Sequence, residues 1–275
     1  MQGMSDNPLS SVFSCFVPRL ARLAVCFFLS LTSVLTAQEP AAAPEPEPQA
    51  VVVECITFHA SAGVLYAPVM EAADALGWPA ECSIESRALM LNGIAVLKDQ
   101  RRTLTDGIEL VSTAGLALAG AVVTPHPSGQ SATVAAGSRS FTLLRAEKRV
   151  EISLGEQKLR AWQGSRLVLQ TNVSTGRSGR TPAGNFVAGP YRARMHHSRK
   201  YNNAPMPWSV QINGPIFVHG FTSVPSYPAS HGCVRMPLGG RNPARFFYEW
   251  VDTGTPVKIL PVVKSSLAAE KKKKS

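Results

Sequence analysis

The amino-acid sequence predicts a mainly β protein in which a small α+β region precedes a larger β-rich domain. Three observations predict it. The 275 residues include 21 glycines and 21 prolines, which makes the chain rich in turns. Val150, Ile152 and Leu154 alternate, and so do Leu159 and Ala161 beyond a Gly155-Glu156-Gln157 turn, which is the period of a hairpin. Val69, Ala72, Ala73 and Leu76 instead recur at helical spacing within residues 68–76, and Gly77 follows as a stop signal.

In chain order, residues 1–37 read as an export signal. Arg19 and Arg22 precede an apolar run, Leu23 to Leu35, and Ala37 offers a small residue at the cleavage point. The run is short for a spanning helix, which needs roughly 20 residues. An uncleaved N-terminal anchor is the rival reading. Residues 38–50 alternate Pro and Glu and read as an extended linker. Residues 51–145 form the small α+β module. Its strands are expected at Val51–Phe58 and around residues 88–91, 94–97, 132–135 and 141–144, with a second helix at Val111–Ala119. Cys55 and Cys82 could form a disulfide or stay as thiols. Either way Cys233 is left over.

Residues 146–261 form the β-rich domain. After the hairpin, Leu167, Leu169 and Val173 continue the sheet. Residues 174–184 read as an exposed loop. Pro215 to His219 reads as a strand, with Ile216 and Val218 on one face and His219 on the other. Asn242-Pro243 is an N-cap and first-turn pair, and Phe246, Phe247, Trp250 and Val251 are the buried stripe of the helix that follows. Pro256 to Leu260 is the last strand. Residues 262–275 are a Lys-rich tail.

The charge is unevenly spread. Residues 146–260 carry 15 Lys and Arg against 5 Asp and Glu, whereas residues 51–145 carry 6 against 8. A positive domain suits an anionic partner such as a wall polymer, an acidic peptide or a lipid surface. There is no recognition-helix pattern and no aromatic-interleaved basic stripe, so nucleic acid is not the expected partner.

The chemistry concentrates in His219-Gly220 and Ser230-His231-Gly232-Cys233-Val234-Arg235. A cysteine nucleophile needs a base to take its proton and backbone N–H groups aimed at the developing oxyanion. His219 and His231 are the available bases. No Asp or Glu lies between Asn202 and Arg245 to orient either of them. A zinc site built from His219, His231 and Cys233 is the competing arrangement, but the spacing is not a known zinc pattern and no H-E-x-x-H helix is present.

Six segments in order resemble the L,D-transpeptidase catalytic domain, the YkuD family. They are Val173-Ser174-Thr175-Gly176, Thr181-Pro182-Ala183-Gly184-Asn185-Phe186, Ala204-Pro205-Met206-Pro207-Trp208, His219-Gly220, Ser230 to Arg235, and Gly254-Thr255-Pro256-Val257. The resemblance implies a β-sandwich domain acting on peptidoglycan stem peptides, with no cofactor and no metal. It implies Cys233 as nucleophile, His219 as proton acceptor and donor, and the Gly220 carbonyl as the group orienting His219. His231 would shape the site, and the Gly232 and Cys233 N–H groups would form the oxyanion hole. Arg235, Tyr201, Met206, Trp208 and Ser230 would bind substrate. Arg177, Arg180, Arg192, Arg194, Arg199 and Lys200 could hold stem-peptide carboxylates. The outcome could be a 3→3 cross-link, attachment of a wall-anchored lipoprotein, or L,D-carboxypeptidase trimming; a non-catalytic wall-binding protein is the alternative. An exported, periplasmic or envelope location follows, with no stable membrane span once the signal is cleaved. Tyr66-Ala67-Pro68-Val69-Met70 and Ala75-Leu76-Gly77-Trp78 resemble a copper-amine-oxidase N-terminal-like stalk module, which implies no copper here.

Overall fold

A computed structural model describes residues 51–82 and 88–262. The export signal, the Pro/Glu linker and, apart from Val262, the Lys-rich tail lie outside the described residues. The first region contains β1 (Val51–Cys55), β2 (Tyr66–Pro68), α1 (Val69–Leu76), β3 (Ala80–Cys82), β4 (Leu89–Leu91), β5 (Ile94–Ala95), β6 (Arg101–Thr103), β7 (Glu109–Ser112), α2 (Thr113–Leu118), β8 (Val122–Pro125), β9 (Ser131–Ala136) and β10 (Arg139–Arg145). Strands β1-β10-β9-β8 form one sheet, with β1 parallel to β10; β2-β7-β6 and β3-β4-β5 form two smaller ones. Helix α1 buries Val69, Ala72, Ala73 and Leu76, the stripe the sequence predicts, and ends at Gly77 with φ 67°. The second helix is shorter than expected, because Glu109–Ser112 extends as β7 and Ser112 caps Gly115 N–H at 3.0 Å. Cys55 is buried and Cys82 exposed, and both are free thiols.

The second region contains β11 (Lys148–Ser153), β12 (Lys158–Gln163), β13 (Arg166–Asn172), β14 (Gly184–Val187), β15 (Arg192–Ser198), β16 (Ala204–Asn213), β17 (Ile216–Phe221), β18 (Val234–Pro237), α3 (Pro243–Trp250) and β19 (Pro256–Leu260). A five-stranded sheet, β13-β12-β11-β19-β14, and a four-stranded sheet, β15-β16-β17-β18, share one buried cluster. This is a β-sandwich closed by α3, which buries Ala244, Phe246, Phe247 and Trp250. The expected hairpin is β11–β12, with Val150, Ile152, Leu159 and Ala161 inward.

The alternation expected along β13 fails at one point. Ala161 pairs with Leu169 but Trp162 pairs with Leu167, so Val168 is an extra residue in a bulge. Val168 and Leu169 are both buried, and Leu167 turns to solvent. The loop at residues 174–184 is also not uniformly exposed. Ser174, Thr175, Gly176 and Thr181 are buried.

The described residues all fall in one compact unit. Ile56, Phe58, Tyr66, Leu104 and Leu110 of the first region belong to the same cluster as the sandwich core. Polar ties reinforce this seam. The buried Gln163 accepts from Thr57 N–H at 3.1 Å and from Trp250 Nε1–H at 3.2 Å. Asp252 meets Lys148 at 2.9 Å and Arg145 at 3.3 Å. Burial lowers the Lys148 ammonium to about 8 against the pull of Asp252. Lys148 also donates to the Trp250 carbonyl, and Arg192 donates to those of Tyr248 and Val251. Both cations thus satisfy the carbonyls left over at the end of α3.

Candidate active site

The Ser230–Arg235 loop is fixed by backbone pairing to the segment after β13. Ser174 and Arg235 exchange N–H···O bonds of 3.1 and 3.0 Å. Ser230 N–H donates to Thr175 O at 2.9 Å, and Arg177 N–H donates to Ser230 O at 3.0 Å. Gln157 holds that segment in turn: its amide donates to Thr175 Oγ1 at 2.9 Å and accepts from Thr175 N–H at 2.9 Å. Thr181 closes the arrangement. It accepts from Gly176 N–H at 2.7 Å and donates to Gly232 O at 2.6 Å. A Cβ on Gly176 would lie 2.8 Å from Gly232 Cα, so only glycine allows these two backbones to approach. The buried polar residues of 174–181 are therefore the floor on which Cys233 stands.

The parallel pair β17–β18 then aligns His219 with Arg235. His219 is buried, and its Nδ1 lies 2.9 Å from Gly220 O. A carbonyl can only accept, so Nδ1 carries the hydrogen and Nε2 keeps a lone pair. The glycine at position 220 serves packing rather than approach to a ligand: a Cβ there would meet Leu238 Cδ2 at 2.3 Å and Ala244 Cβ at 3.2 Å.

A cleft of about 710 Å³ opens over these groups. Cys233, His219, His231, Gly232, Arg235, Tyr201, Met206 and Ser230 line it, as do Arg180, Arg199 and Lys200. The cleft has these four cations and no carboxylate on its walls. Cys233 is half-buried, and its Sγ lies 3.7 Å from Pro215 O. His231 is exposed, stacks on Tyr201 at 4.3 Å, and has Nε2 2.7 Å from Arg177 Nη2. Arg235 lies over the Phe221 ring at 4.1 Å.

Several expected roles change. Trp208 does not line the cleft. It sits in β16 at φ 56°, and its indole turns onto Tyr248 of α3 with Arg194 and Arg245 over the ring. Arg192 and Arg194 are accordingly taken up by α3 and by Trp208. Gly232 N–H donates to Ser230 Oγ at 3.0 Å, so it is engaged within the loop and not open to an oxyanion. Ser230 Oγ–H donates to Cys233 O at 2.5 Å, so Ser230 braces the loop. Among the described residues, no three His, Cys, Asp or Glu converge as a metal-ligand set.

The electrostatics favour a neutral resting pair. Burial is the main cause lowering His219 from 6.5 to about 4, with Arg235 and His196 adding to it and the Gly220 hydrogen bond opposing. Burial also pushes the Cys233 thiol above its ordinary 9.0, against a backbone hydrogen bond at Phe217 and the Arg235 charge. Slight burial and the charges of Arg177, Arg180, Arg235 and Lys200 lower His231. The cleft is thus lined by a half-buried thiol and by an uncharged imidazole with a free lone pair.

This site sits inside the recognised segment. Residues 147–259 match the YkuD family model, the L,D-transpeptidase catalytic domain. Solved structures similar to the chain include the L,D-transpeptidase (Yku) from Stackebrandtia nassauensis, at 25% identity over 42% of this chain and 55% of that one, with a TM-score of 0.37. The L,D-transpeptidase (residues 123–326) from Xylanimonas cellulosilytica DSM 15894 is 30% identical over 42% of this chain and 60% of that one, TM-score 0.35. The chain thus spans less than two thirds of either. An L,D-transpeptidase from Mycobacterium smegmatis is 15% identical over 76% of this chain and 94% of that one, TM-score 0.37. No curated protein matches the chain. Among the described residues, no helix is long and apolar enough to cross a membrane.

The neutral pair makes a pH prediction. If His219 takes the Cys233 proton during attack, the reactive form has His219 uncharged and Cys233 protonated, and kcat/KM should stay level through neutrality. It should fall only near pH 4 on the acid side, not near the ordinary histidine value of 6.5. Stability has a related slope. Below 6.5 the unfolded chain takes up a proton that buried His219 refuses, so stability drops as pH falls from 6.5 towards 4, by up to about 3 kcal/mol. An acid limb centred on 6.5 would show that the imidazole is not desolvated in the working enzyme.

Proposed function

We propose that the chain is a peptidoglycan L,D-transpeptidase that forms 3→3 cross-links through a thioacyl enzyme on Cys233. The observation that carries this reading is the shared cleft. Cys233 and His219 both line it, and His219 Nδ1–H is held by Gly220 O so that Nε2 is free to accept a proton. The match of residues 147–259 to an L,D-transpeptidase catalytic domain supports peptidoglycan stem peptides as the substrate class.

In the first step His219 Nε2 takes the Cys233 proton while sulfur attacks the carbonyl of the L,D-peptide bond of a tetrapeptide donor. Cys233 N–H faces the developing oxyanion. His219 then protonates the departing D-Ala amine, leaving a thioester. In the second step the side-chain amine of a neighbouring diamino acid attacks that thioester. His219 takes its proton and returns it to the sulfur. Arg180, Arg199, Lys200 and Arg235 give the cleft a positive wall suited to stem-peptide carboxylates. Residues 1–37 as an export signal would bring the domain to this substrate, in the periplasm or envelope.

Incubation with disaccharide tetrapeptide, with products followed by mass, tests the reading. A 3→3 dimer is expected. Tripeptide alone would make the protein a carboxypeptidase, attachment only to a lipoprotein lysine would make it an anchoring enzyme, and no turnover would leave a wall-binding module. Activity blocked by a chelator but untouched by iodoacetamide would overturn the cysteine mechanism.

A further inference from the structure

The cleft holds imidazoles that the motif does not use. His196 and His197 of β15 line it together with His219 and His231. Only one of the two extra rings is held in place. His196 Nδ1 lies 2.9 Å from the Tyr191 hydroxyl. Its ring stacks on Phe217 at 5.1 Å with an interplanar angle of 17°, and Tyr191 meets both rings edge-on. With Nδ1 committed to the phenol and one face covered by Phe217, Nε2 is the ring nitrogen left to the cleft. His197, the next residue, is exposed.

The acceptor creates a need for such a group. Its amine reaches the protein as an ammonium and must shed one proton before it has a lone pair. The walls it meets carry Arg180, Arg199, Lys200 and Arg235 and no carboxylate to hold a cation. His219 is reserved for the proton that leaves during attack. His231 has its Nε2 against the Arg177 guanidinium, which can only donate.

We propose that His196 is a second proton acceptor, dedicated to the incoming amine, and that Tyr191 is its positioning residue. This rests on the transpeptidase reading. The role requires the tautomer in which His196 Nδ1–H donates to the Tyr191 oxygen, which leaves the lone pair on Nε2. Nε2 takes one proton from R–NH₃⁺ and gives R–NH₂. The amine lone pair then attacks the Cys233 thioester carbonyl. His219 takes the second proton, the C–S bond breaks, and the sulfur leaves with the electron pair and recovers that proton. The products are the amide, the Cys233 thiol and one proton on His196, which passes to solvent.

The test compares two acceptors within each variant, using full-length protein, one tetrapeptide donor and pH 7. A stem-peptide amine arrives protonated, whereas hydroxylamine arrives largely neutral and needs no first deprotonation. The ratio of amine transfer to hydroxamate formation should fall about 100-fold in His196→Phe, which keeps the stack on Phe217. It should fall less in Tyr191→Phe, which keeps the ring contacts. In both variants the ratio should recover as pH rises towards the acceptor amine's own pKa. A ratio equal to wild type in His196→Phe, a fall that does not recover with pH, or a fall confined to His197→Phe would overturn the assignment. If wild-type protein gives neither amide nor hydroxamate, the transpeptidase reading itself fails and this inference fails with it.

Discussion

Replacing Cys233 by alanine is expected to lower turnover of tetrapeptide by at least about 10⁴-fold while leaving a folded protein. The hydroxyls next to Cys233 are engaged and do not replace the thiol: Ser230 Oγ is held between Cys233 O and Gly232 N–H, and Thr181 Oγ1 between Gly176 N–H and Gly232 O. The fold should tolerate the change because Cys233 is half-buried and its sulfur makes only a long contact with Pro215 O, at 3.7 Å, and a weak backbone interaction at Phe217. A shift under about 1 kcal/mol is expected. His219→Ala should cost nearly as much activity, since nucleophile and base act as a unit. His231→Ala should cost about tenfold or less, because that exposed ring stacks on Tyr201 and is held by Arg177. Steady-state rates of the three variants on one substrate check this order. A His231 variant as dead as the Cys233 variant would show that the bases have been assigned the wrong way round.

The largest stability effect is expected at Trp250. Its side chain is fully buried, its Nε1–H donates to Gln163 at 3.2 Å, and the Lys148 ammonium lies 5.1 Å from its ring. Trp250→Ala leaves a large cavity under α3 and should cost about 3–5 kcal/mol. Trp250→Phe keeps most of the ring and loses one hydrogen bond. Gln163 still accepts from Thr57 N–H, so that variant should cost about 1–2 kcal/mol. Urea unfolding with unchanged slope is the measurement. Because Gln163 ties Thr57 to Trp250, the alanine variant should also loosen residues 51–145. A loss below about 1 kcal/mol in Trp250→Ala would contradict the packing described.

Much of this was legible in the sequence because it is local. The β11–β12 hairpin and α1 follow directly from their periods, and Asn242-Pro243 marks the start of α3. The Ser230–Arg235 motif and His219-Gly220 pointed to the site, and the family match covers residues 147–259. The missing parts come from contacts far apart in the chain. Nothing near Gln157 announces that it holds Thr175, and nothing near Thr181 announces Gly232, 51 residues on. Trp208 looked like a cleft residue from its place in a motif, but a left-handed backbone turns it onto α3. The bulge at Val168 shifts the strand by one residue, and alternation alone cannot reveal that. The strands β6 and β8 are not legible because they are short, at three and four residues, and largely unburied; β15 and β16, at seven and ten residues, are not legible because polar, basic and proline residues interrupt their alternation.

The central claim is that Cys233 carries the acyl group. Rapid quenching of wild-type protein with a tetrapeptide donor, followed by intact mass and peptide mapping, tests it most directly. The account predicts a tripeptide thioester on Cys233, formed as free D-Ala appears and discharged when an acceptor amine is added. Release of D-Ala with no covalent adduct at any time, or with the adduct on another residue, would contradict it.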